Sequence, residues 1–190
     1  MLSPRNAYPK HQGWGCVMFT LLLVLCSGAS PADEVMLDIT SLKEIREAGV
    51  VMQKWETSCA AATLATVLTY GFHDPVSEQE VAAAMLEGTK PEKVRAQGGF
   101  TLLDMRNFVV ARGYGGGAYK GLGLEELAVL HAPIVPIDAH GYNHYVVFNG
   151  VQDDHVLLAD PAFGNRRVSK VRFERLWLGG MAFVISGAPQ

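Results

Sequence analysis

The sequence predicts an α+β domain in which N-terminal helices pack on a C-terminal antiparallel sheet. Three observations point there. Apolar residues recur at helical spacing, with capping signals, through the first two thirds of the chain; beyond Pro133 the pattern turns to short runs of strand character; and the links between those runs are too short to cross over between parallel strands. With 190 residues, 49% of them hydrophobic and 18% charged, the chain has the composition of one globular domain and not of a disordered or collagen-like one. A formal charge of −3 offers no basic surface for gripping phosphates, so no nucleic-acid partner is expected.

Residues 1–32 read as an export signal. Arg5 and Lys10 make a positive start, no acidic residue precedes Asp33, and Val17 to Cys26 form an apolar run. That run is shorter than the roughly 20 residues a bilayer span needs. Ser27-Gly28-Ala29 and Ser30-Pro31-Ala32 offer small residues for cleavage after Ala29 or Ala32, whereas Leu25 stands where a lipobox wants a small residue ahead of Cys26. The expected organisation is a signal peptide, 1–32, followed by one domain, 33–190, with contact to a membrane only through the signal and a periplasmic or secreted location. Removal of the signal leaves 14 of the 16 basic residues against 19 acidic, a charge of −5, and one of the three cysteines, Cys59. A lone cysteine in an oxidising compartment has no disulfide partner within its chain. It is either an inert buried filler or a reactive thiol.

Asp33 to Gly49 carries a weak helical pattern through Leu37, Leu42 and Ile45, and Val50 to Gln53 is extended in character. Ala60 to Tyr70 is small and apolar on all sides, as a buried central helix requires, and Gly71 is placed to close it in the left-handed conformation. Ser77 and Glu80 form a capping box ahead of a helix through Val81 to Glu87. A third helix follows Thr101, with Asp104 at its third position and Gly113 just after Arg112. Gly115-Gly116-Gly117 reads as a loop, and no Gly-Lys-Ser/Thr follows to make it a phosphate cradle. After a short helix over Leu124 to Leu130 come five expected strands: Pro133 to Ile137, Asn143 to Val151, His155 to Asp160, Arg167 to Val171 and Met181 to Ser186.

Cys59 stands at the start of the central helix, with Thr57 or Ser58 available as a cap. Unpaired N–H groups and the helix dipole favour a thiolate there, the form a cysteine nucleophile needs. Among the histidines, His144 opens an apolar strand where a polar ring wants a partner. If Asn143 to Val151 and His155 to Asp160 pair about a turn centred on Gln152, His144 faces Asp160 on the side of Val146, Phe148, Val156 and Leu158. An aspartate so placed orients an imidazole and stabilises its protonated form, as in a catalytic triad. Gln53, six residues before Cys59, offers an amide that can join the Cys59 N–H in holding an oxyanion. His140 and His144 have no third ligand at a matching spacing, so neither a metal nor another cofactor is expected.

The run Val50-Val51-Met52-Gln53 to Ser58-Cys59-Ala60-Ala61-Ala62, then Gly98-Gly99-Phe100-Thr101-Leu102-Leu103, Asn143-His144-Tyr145-Val146-Val147 and Leu158-Ala159-Asp160-Pro161, resembles the C39 peptidases. These are papain-like proteases known for removing double-glycine leaders from bacteriocins. The resemblance spans roughly residues 50–186. It implies a papain-like cysteine peptidase fold, with Cys59 as nucleophile, His144 as general base and acid, Asp160 as its orienter and Gln53 as oxyanion donor. It also implies a peptide or protein substrate carrying a Gly-Gly leader, or an amyloid precursor, since an exported stand-alone member resembles the C39-like proteins of bacterial functional-amyloid secretion systems. The alternative is a catalytically silent C39-like module that binds such a peptide and assists secretion or amyloid assembly. Two positions depart from the family: Ser58 replaces an acidic residue before the cysteine, and Ala60 replaces a glycine after it, adding a methyl group expected near the groove where double-glycine specificity is set.

Overall fold

The computed structural model describes residues 40–187, so the expected signal segment and the start of the first helical stretch lie outside the described residues. Seven helices, α1 (Leu42–Glu47), α2 (Cys59–Thr66), α3 (Glu78–Gly88), α4 (Pro91–Ala96), α5 (Leu102–Ala111), α6 (Leu124–Ala128) and α7 (Lys170–Leu176), surround one sheet among these residues. Its strands are β1 (Gly115–Tyr119), β2 (Ile134–Asp138), β3 (Asn143–Gln152), β4 (His155–Asp160), β5 (Gly164–Ser169) and β6 (Ala182–Ser186), in the order β1-β6-β2-β3-β4-β5. Every pairing is antiparallel. No helix among the described residues is long and apolar enough to cross a membrane.

The helices come first because their caps and apolar faces agree. Ser41, Ser77 and Thr101 each close a capping box, with Glu44, Glu80 and Asp104 respectively. Every residue of α2 is buried, and its alanines let α3 and α5 approach closely. On the near side of the sheet, Leu64 and Leu68 pack with Met105, Val109, Tyr145, Val147 and Phe183. The far side carries a second core, where Val146, Phe148, Val156 and Leu158 meet Leu127 of α6 and Phe173 of α7. Burial on both faces is why β3 reads as a continuous apolar run.

Several elements differ from expectation. Gly71 does not close α2 in the left-handed region; a π-turn, Val67–Gly71, follows α2, Phe72 N–H reaches Val67 O, and His73 takes the positive φ of 55°. Gly115–Gly117 is the edge strand β1 and not a loop. A Cβ on Gly116 would come within 2.7 Å of Val109 Cγ2 and one on Gly115 within 2.5 Å of Ser186 Oγ, so bare glycine is what lets this strand lie against α5 and β6. The strand expected over Arg167 to Val171 starts earlier, at Gly164, and ends at Ser169, whose hydroxyl accepts from Arg172 N–H and starts α7. Helix α4, begun by Pro91 at its first position, was not expected. Val50 to Gln53 joins no strand. It is held by Val51 N–H donating to Thr66 Oγ1 and by Gln53 N–H donating to Pro161 O.

The β3–β4 hairpin also has a different register. Near its turn, Gln152 opposes His155 and Val151 opposes Val156, and Asp153 adopts a φ of 53°. Carried straight on, that register would set Asp160 opposite Val147, on the face away from His144. A bulge between Phe148 and Val151, where Gly150 has a φ of 113°, absorbs one residue, so that Val147 opposes Ala159 and Phe148 opposes Leu158. Asp160 then falls opposite Val146. His144 and Asp160 are therefore diagonal neighbours on one face, not directly opposed as expected.

Candidate active site

Helix α2 supplies Cys59 as its first residue, β3 supplies His144 near its start and β4 supplies Asp160 as its last residue. His144 is 4% exposed and Asp160 is 0% exposed, yet both are fully engaged. His144 Nε2 lies 2.8 Å from Asp160 Oδ1, which also accepts from Ala162 N–H at 2.9 Å, while Asp160 Oδ2 accepts from Arg166 Nη1 at 2.9 Å. A carboxylate oxygen can only accept, so the proton sits on Nε2 and Nδ1 remains for Cys59. Burial pulls the imidazole pKa down, but the hydrogen bonds with Asp160 and Cys59 and their negative charges outweigh it, and the value is pushed up to about 9. At neutral pH this ring is an imidazolium beside a sulfur and a carboxylate.

Cys59, a free cysteine only 4% exposed, lines a pocket of about 180 Å³ with Gly98, Gly99, Phe100, Asn143 and Tyr145. The Tyr145 hydroxyl is pushed up to about 12, chiefly by burial and then by the charge of Cys59, so it borders the pocket as a neutral phenol. A wider, mostly apolar pocket of about 310 Å³ adjoins it across Phe100, lined by Trp55, Ala82, Leu86 and Val94.

Gln53 is tied to both sides of this arrangement. Its N–H donates to Pro161 O at 2.8 Å, next to Asp160, and its Nε2 donates to Trp55 O at 3.2 Å, which leaves a second amide N–H uncommitted. Two expectations about its neighbours are corrected. Ser58 occupies the N-cap position of α2 but makes no capping bond, because its hydroxyl turns to Glu78 Oε1 at 2.5 Å and to Trp55 O at 2.7 Å. Ala60 does not border the groove: it is 0% exposed and its methyl group packs into the core.

Three neighbours were not anticipated. Arg166 holds the far oxygen of Asp160, and the signal was present, since a tight turn from Asp160 to Gly164 sets Arg166 opposite Leu158, diagonal to Asp160. Tyr145 reads in the sequence as one more residue of an apolar strand. Glu78 sits in the Ser-Glu-Gln-Glu start of α3, which reads as an exposed cap, and nothing local marks it as buried. Among the described residues, no three His, Cys, Asp or Glu side chains gather as a metal site.

The arrangement has relatives. The profile of the Peptidase C39 family matches residues 47–189. A probable functional amyloid protease, FapD, from Pseudomonas aeruginosa is 37% identical over 154 residues, covering 80% of this chain and 67% of that protein. A protein of the same name from Pseudomonas fluorescens is 33% identical over 178 residues, 87% of this chain and 77% of that one. Among solved structures, the peptidase domain of Streptococcus ComA, a bifunctional ABC transporter of a quorum-sensing pathway, superposes with a TM-score of 0.62 at 23% identity, covering 74% of this chain and 98% of that domain. A double-glycine-motif protease from an AMS/PCAT transporter, solved with its leader peptide, gives 0.61 at 24% identity, over 73% and 91% of the two chains. The fold is thus the papain-like one, helices on an antiparallel sheet, and the chain belongs to the peptidase C39 family.

Proposed function

We propose that this member of a peptidase family is an exported cysteine peptidase that cuts a leader or secreted precursor, with Cys59 as nucleophile. The observation that carries the reading is the buried chain from Cys59 through His144 to Asp160, whose imidazole is held protonated at neutral pH. Cys59 Sγ, having passed its proton to His144 Nδ1, attacks the scissile carbonyl carbon, and the carbonyl oxygen becomes an oxyanion received by the Cys59 N–H and the free N–H of Gln53. The C–N bond then breaks as His144 returns the proton to the leaving amine, leaving a thioester on Cys59. A water attacks that thioester and gives its proton to His144, and the C–S bond breaks to release the acid and restore the Cys59 thiolate beside the imidazolium. Asp160 stabilises the imidazolium in each half of the cycle.

The substrate is read as an extended peptide. The pocket at Cys59 is walled by Gly98 and Gly99, and admits small residues at the scissile bond; the apolar pocket beyond Phe100 suits a larger apolar residue further along the peptide. The complex of the AMS/PCAT double-glycine-motif protease with its leader peptide supports a peptide substrate by analogy, and the names of the FapD relatives support an amyloid-associated precursor. Export rests on residues 1–32. Incubation with a library of proteome-derived peptides, followed by mass spectrometry of new termini, tests the reading. Cleavage by the wild type and none by Cys59→Ala is expected; equal cleavage by both, or none by either, contradicts it.

A further inference from the structure

Glu78 is a carboxylate buried to 2% exposure at the first position of α3, outside the triad. Its Oε1 accepts from Lys54 N–H at 2.9 Å and meets Ser58 Oγ at 2.5 Å, while its Oε2 is buried with no partner among the described residues. Desolvating a carboxylate without satisfying one oxygen is costly. Its two partners are placed tellingly. Lys54 directly follows Gln53, and Ser58 directly precedes Cys59.

We propose that Glu78 is a positioning residue that clamps both ends of the Lys54–Ser58 loop, and so sets the Gln53 amide and the Cys59 N–H as two halves of one oxyanion site. The inference rests on the peptidase reading and deepens it. The Ser58 hydroxyl has one proton, and the carboxylate, as the stronger acceptor, draws it. This keeps the hydroxyl at the cap position from bonding the first N–H groups of α2, so they stay open to an oxyanion. It also leaves Trp55 O to accept from Ser58 N–H and from Gln53 Nε2, which fixes the orientation of the Gln53 amide. In this chain a carboxylate thus reaches the residue before the cysteine from another helix, at a site where Ser58 itself carries no charge.

The test separates the thiol from the oxyanion site. Iodoacetamide alkylation of Cys59 reports the thiol alone; protection of Cys59 from alkylation by a peptide aldehyde, acetyl-Leu-Gly-glycinal, reports the oxyanion of the hemithioacetal. Glu78→Leu is expected to alkylate within about twofold of wild type but to lose about tenfold or more in aldehyde affinity, as when an oxyanion donor is removed. Glu78→Gln, whose carbonyl accepts the same two bonds, recovers most of that affinity. A folded Glu78→Leu protein with wild-type aldehyde affinity overturns the proposal, as does a Glu78→Gln protein as weak as Glu78→Leu. Should Glu78→Leu fail to fold, Ser58→Ala decides: a loss of severalfold is expected, and none contradicts. Wild-type Cys59 that is neither alkylated nor protected sinks the peptidase reading itself, a result distinct from all of these.

Discussion

The two halves of the candidate site are built by different means. His144 and Asp160 are held by a sheet: paired strands, a bulge at Gly150, and an arginine closing the far oxygen of the aspartate. Cys59 and Gln53 are held by a short loop whose geometry depends on one buried carboxylate from another helix. The sheet half is over-determined by many backbone bonds, whereas the loop half has few supports, so single substitutions should harm them unequally. Changes in the sheet half should cost stability along with activity, and changes in the loop half mainly activity.

The sharpest way to break the comparison is at the residue where the halves meet. Cys59→Ala should lower peptide cleavage by about 10⁴-fold or more with the melting curve little changed, since losing the nucleophile of a cooperative triad removes nearly all catalysis. Gly150→Val should come next. The bulge needs the φ of 113° that Gly150 adopts, which a β-branched residue resists, so the substitution should disturb the pairing that keeps Asp160 on the face of His144 and lower both cleavage and melting temperature, read by peptide assay and thermal unfolding. Arg166→Met leaves one oxygen of a fully buried carboxylate unpaired, at an expected loss of about 3 kcal/mol in a denaturant titration. It should also move the alkaline limb of activity upward, because the cation no longer offsets the charge that protonates His144. Gly116→Ala serves as the control on the far edge of the sheet: its Cβ collides with Val109, so a loss of about 1–3 kcal/mol is expected with kcat unchanged.

The pH dependence follows from the raised value of His144. Folding lifts it from 6.5 to about 9, so its stabilising contribution is complete below about pH 6.5 and is lost as pH rises through about 9. Wild type should therefore lose stability relative to His144→Ala across that window. Cleavage should fall over the same range as the proton needed by the leaving amine is lost.

The sheet half was also the more legible in the sequence. Strand character at Asn143 to Val151 and His155 to Asp160 put the histidine and the aspartate on one face, and the family resemblance agreed. The face came out right although the register did not: the turn lies at Asp153-Asp154 and the bulge restores the parity. A bulge leaves no periodic mark beyond a glycine, and Gly150 alone does not announce one. Gly115–Gly117 escaped detection as a strand because alternation is carried by side chains it lacks. Glu78 escaped because burial at a helix start is decided by which loop folds over it. Capping boxes, by contrast, depend on residues three apart, so the helix starts at Ser77 and Thr101 are legible in the sequence alone.

The central claim is that Cys59 and His144 act as one reactive pair, and the rate of Cys59 alkylation by iodoacetamide near pH 6 in wild type and in His144→Ala tests it most directly. The account predicts rapid alkylation of the native protein and a drop of at least about tenfold in the variant. A native protein whose Cys59 stays silent until it is unfolded, or one that reacts equally fast without the imidazole, would contradict it.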